Sequence, residues 1–396
     1  MGVIMNILSL CDGMSCGQIA LKELGIEFDG INNKYFASEI ENTSIKVTQK
    51  NFPNTIQIGD MTLINEEFLK TLPKIDLIMS GTPCRDFSRC TIQGGSSNWD
   101  NMHSIGKGVY GKHSSLFFIF YEIYQWLKKY NNPDIKVLFE NVVMKNSDKE
   151  IVSEIFGYEP ILINSNLFLA QNRERLYWTD LEIQELPNKE CDIYLKDIIL
   201  EPSRVPSKYW YDKEFEFKGE DKSVCAMLVM GGHDIQKRVT SLNFKSPTLT
   251  SCRGGNLQKK VYQDNRCRKL TPYEYEILQG VPAEYTSCVS DSARYNMLGD
   301  GWSVPVIKHI LKSFVCETKT SKIKDDIDEK IHICNKLVER FEKSEKWIKS
   351  VNKTWEDIKR DFPKIYAERT SIVKEIEKLQ EYILNYYKST IQIKSI

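Results

Sequence analysis

The sequence predicts an α/β protein built on a doubly wound parallel sheet, followed by an irregular insert and a C-terminal helical hairpin. Three observations support this. The first 180 residues alternate short apolar runs with longer helical patterns, residues 181–265 lose that rhythm, and charged residues dominate from about residue 318. Strand–helix alternation at this spacing is typical of doubly wound sheets.

The alternating region contains six candidate strands and four candidate helices. The strands are short apolar runs at 5–10, 35–39, 75–79, 136–140, 160–164 and 175–179. The helices are amphipathic stretches at 17–25, 41–50, 115–130 and 147–156. The Gly- and Ser-rich stretch 89–114 interrupts the alternation and is too long for an idle connector, so we expect a mobile lid there.

The rest of the chain divides into three predicted parts. Residues 181–265 are rich in Gly, Pro, Lys and Ser and predict a separate insert, whereas 266–317 return to the first domain, 1–180. From 318 to 396, apolar residues recur at heptad-like spacing, and a break near residues 361–363 predicts an antiparallel hairpin or coiled coil. Such a hairpin either packs on its own seam as a solvated appendage, or mediates dimerisation, or faces nucleic acid.

Composition narrows the class of protein. Lys and Arg number 54 and Asp and Glu 54, so bulk charge argues neither for nor against a nucleic-acid partner. The 11 Cys form no Cys-x-x-Cys pairs and there are five His, which argues against a zinc site or a disulfide framework and favours reduced thiols. No signal peptide and no run of about 18 uncharged apolar residues is found, so we expect no membrane span.

Acidic and glycine residues close the first strands at three successive places. The turn after the first strand contains Asp12, Gly13 and Gly17, and glycines there let backbone amides approach a ligand. Glu39 closes the second strand and suits a ribose diol, and Asp60 could accept from an adenine amino group. A tight turn and two helix N-caps are the alternatives for each feature alone. Together they indicate a cofactor that contains adenosine.

A candidate nucleophile follows the apolar run at 75–79. Cys84 comes directly after Thr82 and Pro83, where the strand ends. The carboxyl edge of an open α/β sheet is where ligands bind, so this thiol is placed for catalysis.

Two further charged groups stand at strand positions. Glu140 ends an apolar strand, where an unpaired carboxylate is costly to bury, so it is either an ion-paired core residue or a protonated acid that takes part in chemistry. Arg173 and Arg175 share one face of a strand and need anionic or carbonyl partners. A surface charge cluster is the alternative for the arginines.

These segments, in this order, resemble the DNA (cytosine-5) methyltransferases. The resemblance covers about residues 5–316 and is carried by Asp12-Gly13 with Gly17, Glu39, Asp60, Pro83-Cys84, Glu140-Asn141-Val142, Gln171-x-Arg173-x-Arg175, Arg268-Lys269-Leu270-Thr271-Pro272 with Glu274, and Gly301-Trp302-Ser303-Val304-Pro305-Val306. Details such as Trp302-Ser303-Val304 resemble the animal de novo branch, and a bacterial or phage origin is the alternative. The protein is then cytoplasmic if bacterial or phage-encoded and nuclear if eukaryotic.

The resemblance implies a Rossmann-like class I fold, S-adenosyl-L-methionine as methyl donor, no metal and duplex DNA as partner, with 181–265 as target-recognition region. It implies cofactor contacts from Asp12, Gly13, Met14, Gly17, Glu39, Ile40, Asp60, Met61, Leu116, Trp302, Ser303 and Val304. It implies substrate contacts from Pro83 and Asn141. In the insert, residues 246–256 and the Lys pair combine base-edge donors with phosphate cations, which predicts contacts from Arg253, Asn256, Lys259 and Lys260.

The resemblance also assigns catalytic roles. Cys84 would attack carbon 6 of a flipped cytosine, and Glu140 would donate a proton to ring nitrogen 3. Arg175 would hold the base carbonyl oxygen, and Arg173 would brace the site or a phosphate.

The chain departs from the family pattern at several positions. Cys11 stands where a Phe is usual, Trp302 replaces the Asn common in bacterial members, and Asp300-Gly301 replaces a basic residue and its neighbour. Two other functions stay open at this point: a non-catalytic regulator that binds cofactor or DNA, and a tRNA cytosine-5 methyltransferase.

Overall fold

A computed structural model of the chain describes residues 5–83, 111, 115–252, 256–350, 354–361 and 363–394. The chain forms two compact units, 1–315 and 316–396, with a division two residues before the predicted one. Cys84, Arg253 and all of the predicted lid 89–114 except Gly111 lie outside the described residues.

Seven strands form the central sheet of the first unit. They are β1 (Asn6–Leu10), β2 (Lys34–Ser38), β3 (Ile56–Gln57), β4 (Leu77–Ser80), β5 (Lys136–Val142), β6 (Ile161–Asn164) and β7 (Glu174–Thr179). Their order is β3-β2-β1-β4-β5-β7-β6. The first five strands are parallel, whereas β7 is antiparallel to both β5 and β6.

Helices cover both faces of this sheet. They are α1 (Cys16–Glu23), α2 (Asn42–Asn51), α3 (Glu66–Thr71), α4 (Leu116–Tyr130) and α5 (Asn146–Phe156). Along β1, Ile7 belongs to one apolar core and Leu8 to another, because successive strand side chains point to opposite faces. Ile19 of α1 packs in the first core and Phe117 of α4 in the second, as a doubly wound sheet requires.

The predicted alternation agrees with the structure, apart from short elements and one strand direction. Every predicted strand and helix up to residue 180 is present within three residues at each end. β3 and α3 were not predicted as elements, because two and six residues are too few for a clear periodicity. β7 runs antiparallel because residues 165–173 return the chain from β6 without a crossover helix.

The insert is more ordered than its composition predicts. It contains β8 (Phe215–Phe217), β9 (Val224–Leu228), α6 (Asp234–Lys237), β10 (Arg238–Thr240), β11 (Lys260–Gln263) and β12 (Arg266–Lys269). The strands form a second sheet in the order β12-β11-β10-β9-β8, with a small core that includes Cys225, Leu228 and Val239. This sheet ends at Lys269, four residues beyond the predicted boundary at 265.

After the second sheet the chain returns to the first core through α7 (Pro272–Gln279), α8 (Asp291–Asp300) and the start of α9 (Val304–Ser350). Thr271 caps α7: its hydroxyl accepts from the Glu274 N–H at 3.2 Å, the Glu274 carboxylate accepts from the Thr271 N–H at 2.6 Å, and Pro272 is the first helical residue. Across the described ranges, no helix is both long and apolar enough to cross a membrane.

The second unit is an antiparallel helical hairpin formed by the distal part of α9, α10 (Trp355–Asp361) and α11 (Pro363–Lys394). Cross-helix partners are Arg340 with Glu368 at 2.8 Å and Glu345 with Arg369 at 3.2 Å. In each pair, the midpoint along the chain between the two residues is close to residue 355. The chain therefore reverses direction between α9 and α10. The predicted break at 361–363 is not the turn, because Pro363 occupies the first position of a helix, where proline is tolerated.

Candidate active site

The carboxyl ends of four strands meet at one edge of the central sheet. Leu10 pairs with both Ser38 and Ser80, and Ser80 pairs with Phe139. The segments that follow these residues therefore share this edge: the turn 11–15, Glu39, residues 81–83 and Glu140. The edge also contains the point between β1 and β4 where the strand order reverses, which is where open α/β sheets bind ligands.

The turn between β1 and α1 has an unusual backbone. Cys11, Gly13 and Ser15 all have positive φ, at 54°, 59° and 62°. Such conformations cost about 1–3 kcal/mol for a residue other than glycine, and they cluster at functional sites. Apart from its two chain neighbours, no atom of the residues that the structure describes lies within 4 Å of the position that a Gly13 side chain would occupy, so this part of the turn leaves room for a ligand.

Asp12 holds the turn in shape. Its carboxylate accepts a hydrogen bond from the Tyr35 hydroxyl at 2.7 Å and a short one from the Ser15 hydroxyl. Burial raises the pKa of Asp12 to about 6, although these hydrogen bonds oppose the rise. Asp12 therefore joins the start of α1 to β2.

Glu39 is fixed by backbone N–H groups. Its Oε2 accepts from Gly13 at 2.7 Å, and its Oε1 accepts from Ile40 and Glu41, both at 2.8 Å. A carboxylate has about four acceptor positions, so this arrangement leaves one lone pair on Oε2. Ile40, directly beside it, is 69 % exposed and offers an apolar surface.

Asp60 caps the short 3-10 helix Met61–Leu63. Its Oδ1 accepts from both the N–H and the hydroxyl of Thr62, each at 2.8 Å, which bears out the N-cap alternative; Oδ2 takes no part in these bonds. Met61 is buried, and its sulfur lies 3.4 Å from the Cys11 thiol. Leu116 is half-buried at the first position of α4.

The Cys11 thiol is a packing group at this edge. Burial raises its pKa to about 12, with the carboxylates of Glu39, Asp60 and Asp12 adding to the effect. The carboxylates of Asp12, Glu39 and Asp60 lie near this thiol. Even so, no group of three or more His, Cys, Asp or Glu among the described residues could hold a metal ion.

Four other predicted cofactor residues are buried. Met14 lies in the first core, and a side chain at Gly17 would meet Met79 at 2.7 Å. The Ser303 hydroxyl donates to Gln279 Oε1 at 3.1 Å, and Val304 is fully buried. Any cofactor contact from these residues would therefore come from their backbone atoms.

Glu140, Arg175 and Trp302 form what we call the acid cluster. Glu140 Oε1 lies 2.9 Å from Arg175 Nε, and Glu140 Oε2 accepts from the Trp302 indole N–H at 2.9 Å. The Glu140 and Arg175 side chains are 10 % and 14 % exposed, so the ion pair is largely shielded from water. Of the two alternatives for Glu140, ion pairing is what the structure shows.

The cluster is close to the strand that leads to Cys84. A side chain at Gly81 would lie 2.6 Å from Trp302 Nε1 and 3.1 Å from Glu140 Oε2, so only glycine fits there. The Asn141 amide donates to the Thr82 carbonyl at 3.2 Å. Pro83 is half-buried and precedes the undescribed Cys84. The segment 81–83, which follows β4, is thus tied to the end of β5.

Arg173 is a buried brace. Its guanidinium donates to the carbonyl oxygens of Leu249 at 2.8 Å, Gly301 at 2.9 Å and Gly299 at 3.2 Å. Only 3 % of the residue is exposed, so the surface-cluster alternative is wrong for Arg173, and its partners are carbonyls rather than a phosphate.

Residues 246–252, which we call the strap, pack on the first apolar core. Leu249 and Cys252 are buried there, and the Leu249 N–H donates to Gln171 Oε1 at 2.9 Å. A side chain at Gly299 would lie 2.2 Å from the Thr250 carbonyl carbon, so the strap crosses directly over Gly299. Pro247 and Thr250 of the strap are exposed, so the prediction that 246–256 reads DNA stays a prediction for them, whereas the buried Leu249 and Cys252 face the core.

The Lys pair divides into two different roles. Lys260 is 2 % exposed, and its ammonium donates to the carbonyls of Asn256 at 2.7 Å and Gln258 at 2.9 Å. Burial lowers the pKa of Lys260 to about 8. The prediction that Lys260 contacts phosphate is wrong, since its charge is directed into the loop. Lys259 is half-buried, and Asn256 has positive φ at 59°.

Sequence reasoning missed two residues that support the site. The Gln279 amide donates to the carbonyls of Leu298 at 2.6 Å and Gly301 at 3.0 Å. The Tyr285 hydroxyl donates to the Met14 carbonyl at 2.8 Å, below the first turn. For Gln279, the sequence signal was a polar side chain at the end of the apolar pattern of α7, and a surface residue would give the same signal.

The sheet order and the polar edge at its switch point define a Rossmann-like α/β protein with the class I methyltransferase fold. Residues 5–316 match the family model for C-5 cytosine-specific DNA methylase, and the chain belongs to that family. The match ends where the second unit begins.

Curated relatives and solved structures agree with this assignment. Type II methyltransferase M.HpaII of Haemophilus parainfluenzae is 28 % identical over 348 residues, covering 76 % of this chain and 87 % of the relative. Type II methyltransferase M.HhaI of Haemophilus parahaemolyticus is 24 % identical over 323 residues, covering 77 % and 93 %. The S. pombe Dnmt2 methyltransferase structure matches with a TM-score of 0.54 at 16 % identity, covering 79 % and 98 %, which supports the fold.

The predicted family and fold class are confirmed. Both of these curated relatives are bacterial enzymes, and the finer resemblance to the animal de novo branch stays a prediction.

Proposed function

We propose that the chain transfers a methyl group from S-adenosyl-L-methionine to carbon 5 of a flipped cytosine in duplex DNA. The observation that carries this proposal is the acid cluster at the end of β5. It places a carboxyl and a guanidinium together beside the strand that leads to Pro83-Cys84.

The residues at the first turn fit the cofactor. When bound, S-adenosyl-L-methionine supplies an electrophilic sulfonium methyl group. The open side of Gly13, the remaining lone pair of Glu39 Oε2 and the exposed Ile40 would hold its adenosine part. Asp60 Oδ2, outside the capping bonds, would accept from the adenine amino group.

Cys84 is proposed as the nucleophile. Its thiolate would attack carbon 6 of cytosine and so make carbon 5 electron-rich. At an ordinary thiol pKa, about 3 % is ionised at pH 7, which costs roughly 2 kcal/mol. Extrusion of the base from the duplex costs a few kcal/mol more. Loss of the carbon 5 proton after methyl transfer would then release Cys84 by β-elimination.

The acid cluster would stabilise the base during this attack. Glu140, which is ion-paired with Arg175 in the structure, would take up a proton when the base enters, donate it to ring nitrogen 3 and so neutralise the charge that develops there. Arg175 uses Nε for Glu140 and Nη1 for the Glu174 carbonyl at 2.8 Å. Because a guanidinium has five N–H groups, Nη2 remains for the base carbonyl oxygen. Arg173 acts at a distance, by fixing the strap and the segment before Trp302.

The second sheet is proposed to contact DNA. Along the chain, Arg253, Asn256 and Lys259 come between the strap and β11. With Lys260 turned inward, Lys259 is the cation of this pair that can reach a phosphate.

A transfer assay with labelled S-adenosyl-L-methionine tests the proposal. Duplex DNA and tRNA serve as parallel substrates, with Cys84→Ala as the inactive variant and Cys316→Ala, an exposed thiol of the second unit, as matched control. We expect label on DNA from the wild type and Cys316→Ala, and none from Cys84→Ala.

Three other outcomes would overturn it. Label on tRNA alone would select the RNA-modifying alternative. Label on neither substrate, with DNA binding intact, would select the regulatory one. Transfer by Cys84→Ala would show that the nucleophile is misassigned.

A further inference from the structure

We infer that Trp302 is a positioning residue for Glu140, and that its indole N–H sets the direction in which the acid presents its proton. This inference deepens the proposed function and rests on it. It assigns Trp302 a role beyond the cofactor contact expected from its sequence position.

The first argument is the geometry of the two donors. Trp302 Nε1 donates to Glu140 Oε2 and Arg175 Nε to Glu140 Oε1, both at 2.9 Å. The last torsion of a glutamate side chain is broad and two-fold, so one donor leaves the carboxyl plane free to turn. Donors on both oxygens fix that plane.

The second argument is the chemistry of the indole. Its N–H is a donor only, so it always occupies a lone pair of Oε2 and never takes the proton of the acid. The proton that Glu140 gives to a base must therefore sit on a lone pair that neither donor uses. With Arg175 on Oε1 and Trp302 on Oε2, one lone pair of each oxygen remains for that proton, in a carboxyl plane that the two donors fix.

The third argument is the fixed position of Trp302 itself. The carbonyl of Gly301, just before it, accepts from Arg173 at 2.9 Å and from the Gln279 amide at 3.0 Å. Ser303, just after it, donates to Gln279 Oε1 at 3.1 Å. Buried hydrogen bonds on both sides hold the backbone, so the indole has little freedom to follow a moving carboxylate.

The fourth argument is the close fit at Gly81. The absent side chain of Gly81 leaves room for the indole nitrogen and the carboxylate oxygen to meet above β4. A methyl group there would lie 2.6 Å from the nitrogen and force the two apart. The acid is thereby held in register with the strand that continues to Cys84.

The first experiment separates the effect of the aromatic ring of Trp302 from the effect of its hydrogen-bonding N–H. Trp302→Phe keeps an aromatic surface but removes the N–H, and Trp126→Phe on α4 is the control. We expect Trp302→Phe to lower kcat about 10- to 100-fold, the usual effect of one hydrogen bond to a charged group. The KM for S-adenosyl-L-methionine should stay within about twofold, since the aromatic ring is retained. Unchanged kcat, or a rise in KM alone, would overturn the inference.

The second experiment uses coupling between two positions. Gly81→Ala should lower kcat strongly in the wild type and much less in Trp302→Phe, which has no indole nitrogen to displace. Equal losses in both backgrounds would refute the contact. Thermal unfolding of all variants identifies those that fail to fold, which are then excluded.

A spectroscopic measurement needs neither cofactor nor DNA. In protein labelled with ¹⁵N-tryptophan, the indole resonance that disappears in Trp302→Phe should shift in Glu140→Gln and stay in place in Glu122→Gln, a change on α4. An unmoved resonance in Glu140→Gln would contradict the hydrogen bond. A wild type without transfer activity would defeat the proposed function, whereas an active wild type with a fully active Trp302→Phe would defeat this inference alone.

Discussion

Replacement of Glu274 by Ala should destabilise the first unit severely, because it leaves a buried guanidinium without a counter-charge. Arg268 and Glu274 are both fully buried and meet through two parallel bonds, from Nη1 at 2.9 Å and Nη2 at 2.6 Å. The same carboxylate accepts the backbone N–H groups of Leu200 at 2.9 Å and Thr271 at 2.6 Å.

The expected loss follows from these four hydrogen bonds. Removal of one partner of a buried ion pair costs about 3–5 kcal/mol. Each buried N–H left without an acceptor costs about 1–3 kcal/mol, and part of that cost overlaps with the first. We therefore expect Glu274→Ala to lower the free energy of unfolding by about 5 kcal/mol, a large part of the stability of an ordinary domain.

Urea unfolding followed by circular dichroism measures this loss, and a double variant isolates its cause. Arg268→Met with Glu274→Leu removes both charges and fills similar volume, which is often neutral for stability. The double variant should therefore recover the part of the loss that comes from the unpaired guanidinium, while the N–H groups of Leu200 and Thr271 stay without their acceptor. A loss below about 1 kcal/mol in Glu274→Ala would refute the reasoning, as would a double variant no more stable than the single one.

Three further predictions concern individual charges. Burial raises the folded-state pKa of Asp12 to about 6, so the contribution of Asp12 to the free energy of unfolding falls as the pH rises from about 4 to 6. In urea unfolding, the free energy of unfolding of Asp12→Asn relative to wild type should therefore rise by up to about 3 kcal/mol between pH 4 and pH 7. A difference that does not change with pH would contradict the raised pKa. Glu140→Gln should lower the rate of methyl transfer by a factor of about 10² to 10⁴ while S-adenosyl-L-methionine binding, measured by equilibrium dialysis, is retained. Lys259→Ala should reduce the salt dependence of DNA binding by about one charge, whereas Lys260→Met should leave it unchanged, and equal slopes would contradict the different placement of the two lysines.

The catalytic edge could be predicted from the sequence because residues at the ends of successive parallel strands lie side by side in the folded sheet. Glu39 and Pro83 follow parallel strands and Glu140 lies near the end of another, and the carboxyl ends of parallel strands meet at one edge. Alternation of apolar and helical patterns was therefore enough to bring these residues together. The ion-paired state of Glu140 was one of two alternatives, and the partner Trp302 is 162 residues away along the chain.

The errors have a common physical cause, which is that local sequence does not show which way a polar side chain points. Lys259 and Lys260 are neighbours, yet successive side chains at a strand point to opposite faces, and here one of them enters a loop interior. Arg173 was predicted to need anionic or carbonyl partners, but the carbonyls of Leu249 and Gly299 that it contacts are 76 and 126 residues away along the chain, so the sequence could not identify them. Proline near residue 363 looked like a turn because the same residue type both begins helices and ends them.

The strap has a consequence for how this enzyme could be re-targeted. A recognition module is exchangeable only if its ends leave the host core intact. Here the buried Leu249 and the crossing over Gly299 place 246–252 in the host, although the residues on both sides belong to the second sheet. A chimera should therefore graft two pieces, one before the strap and one after it, and retain the native strap between them. Transplantation of 181–265 as a single block would replace Leu249, whose carbonyl is one of the three that Arg173 contacts.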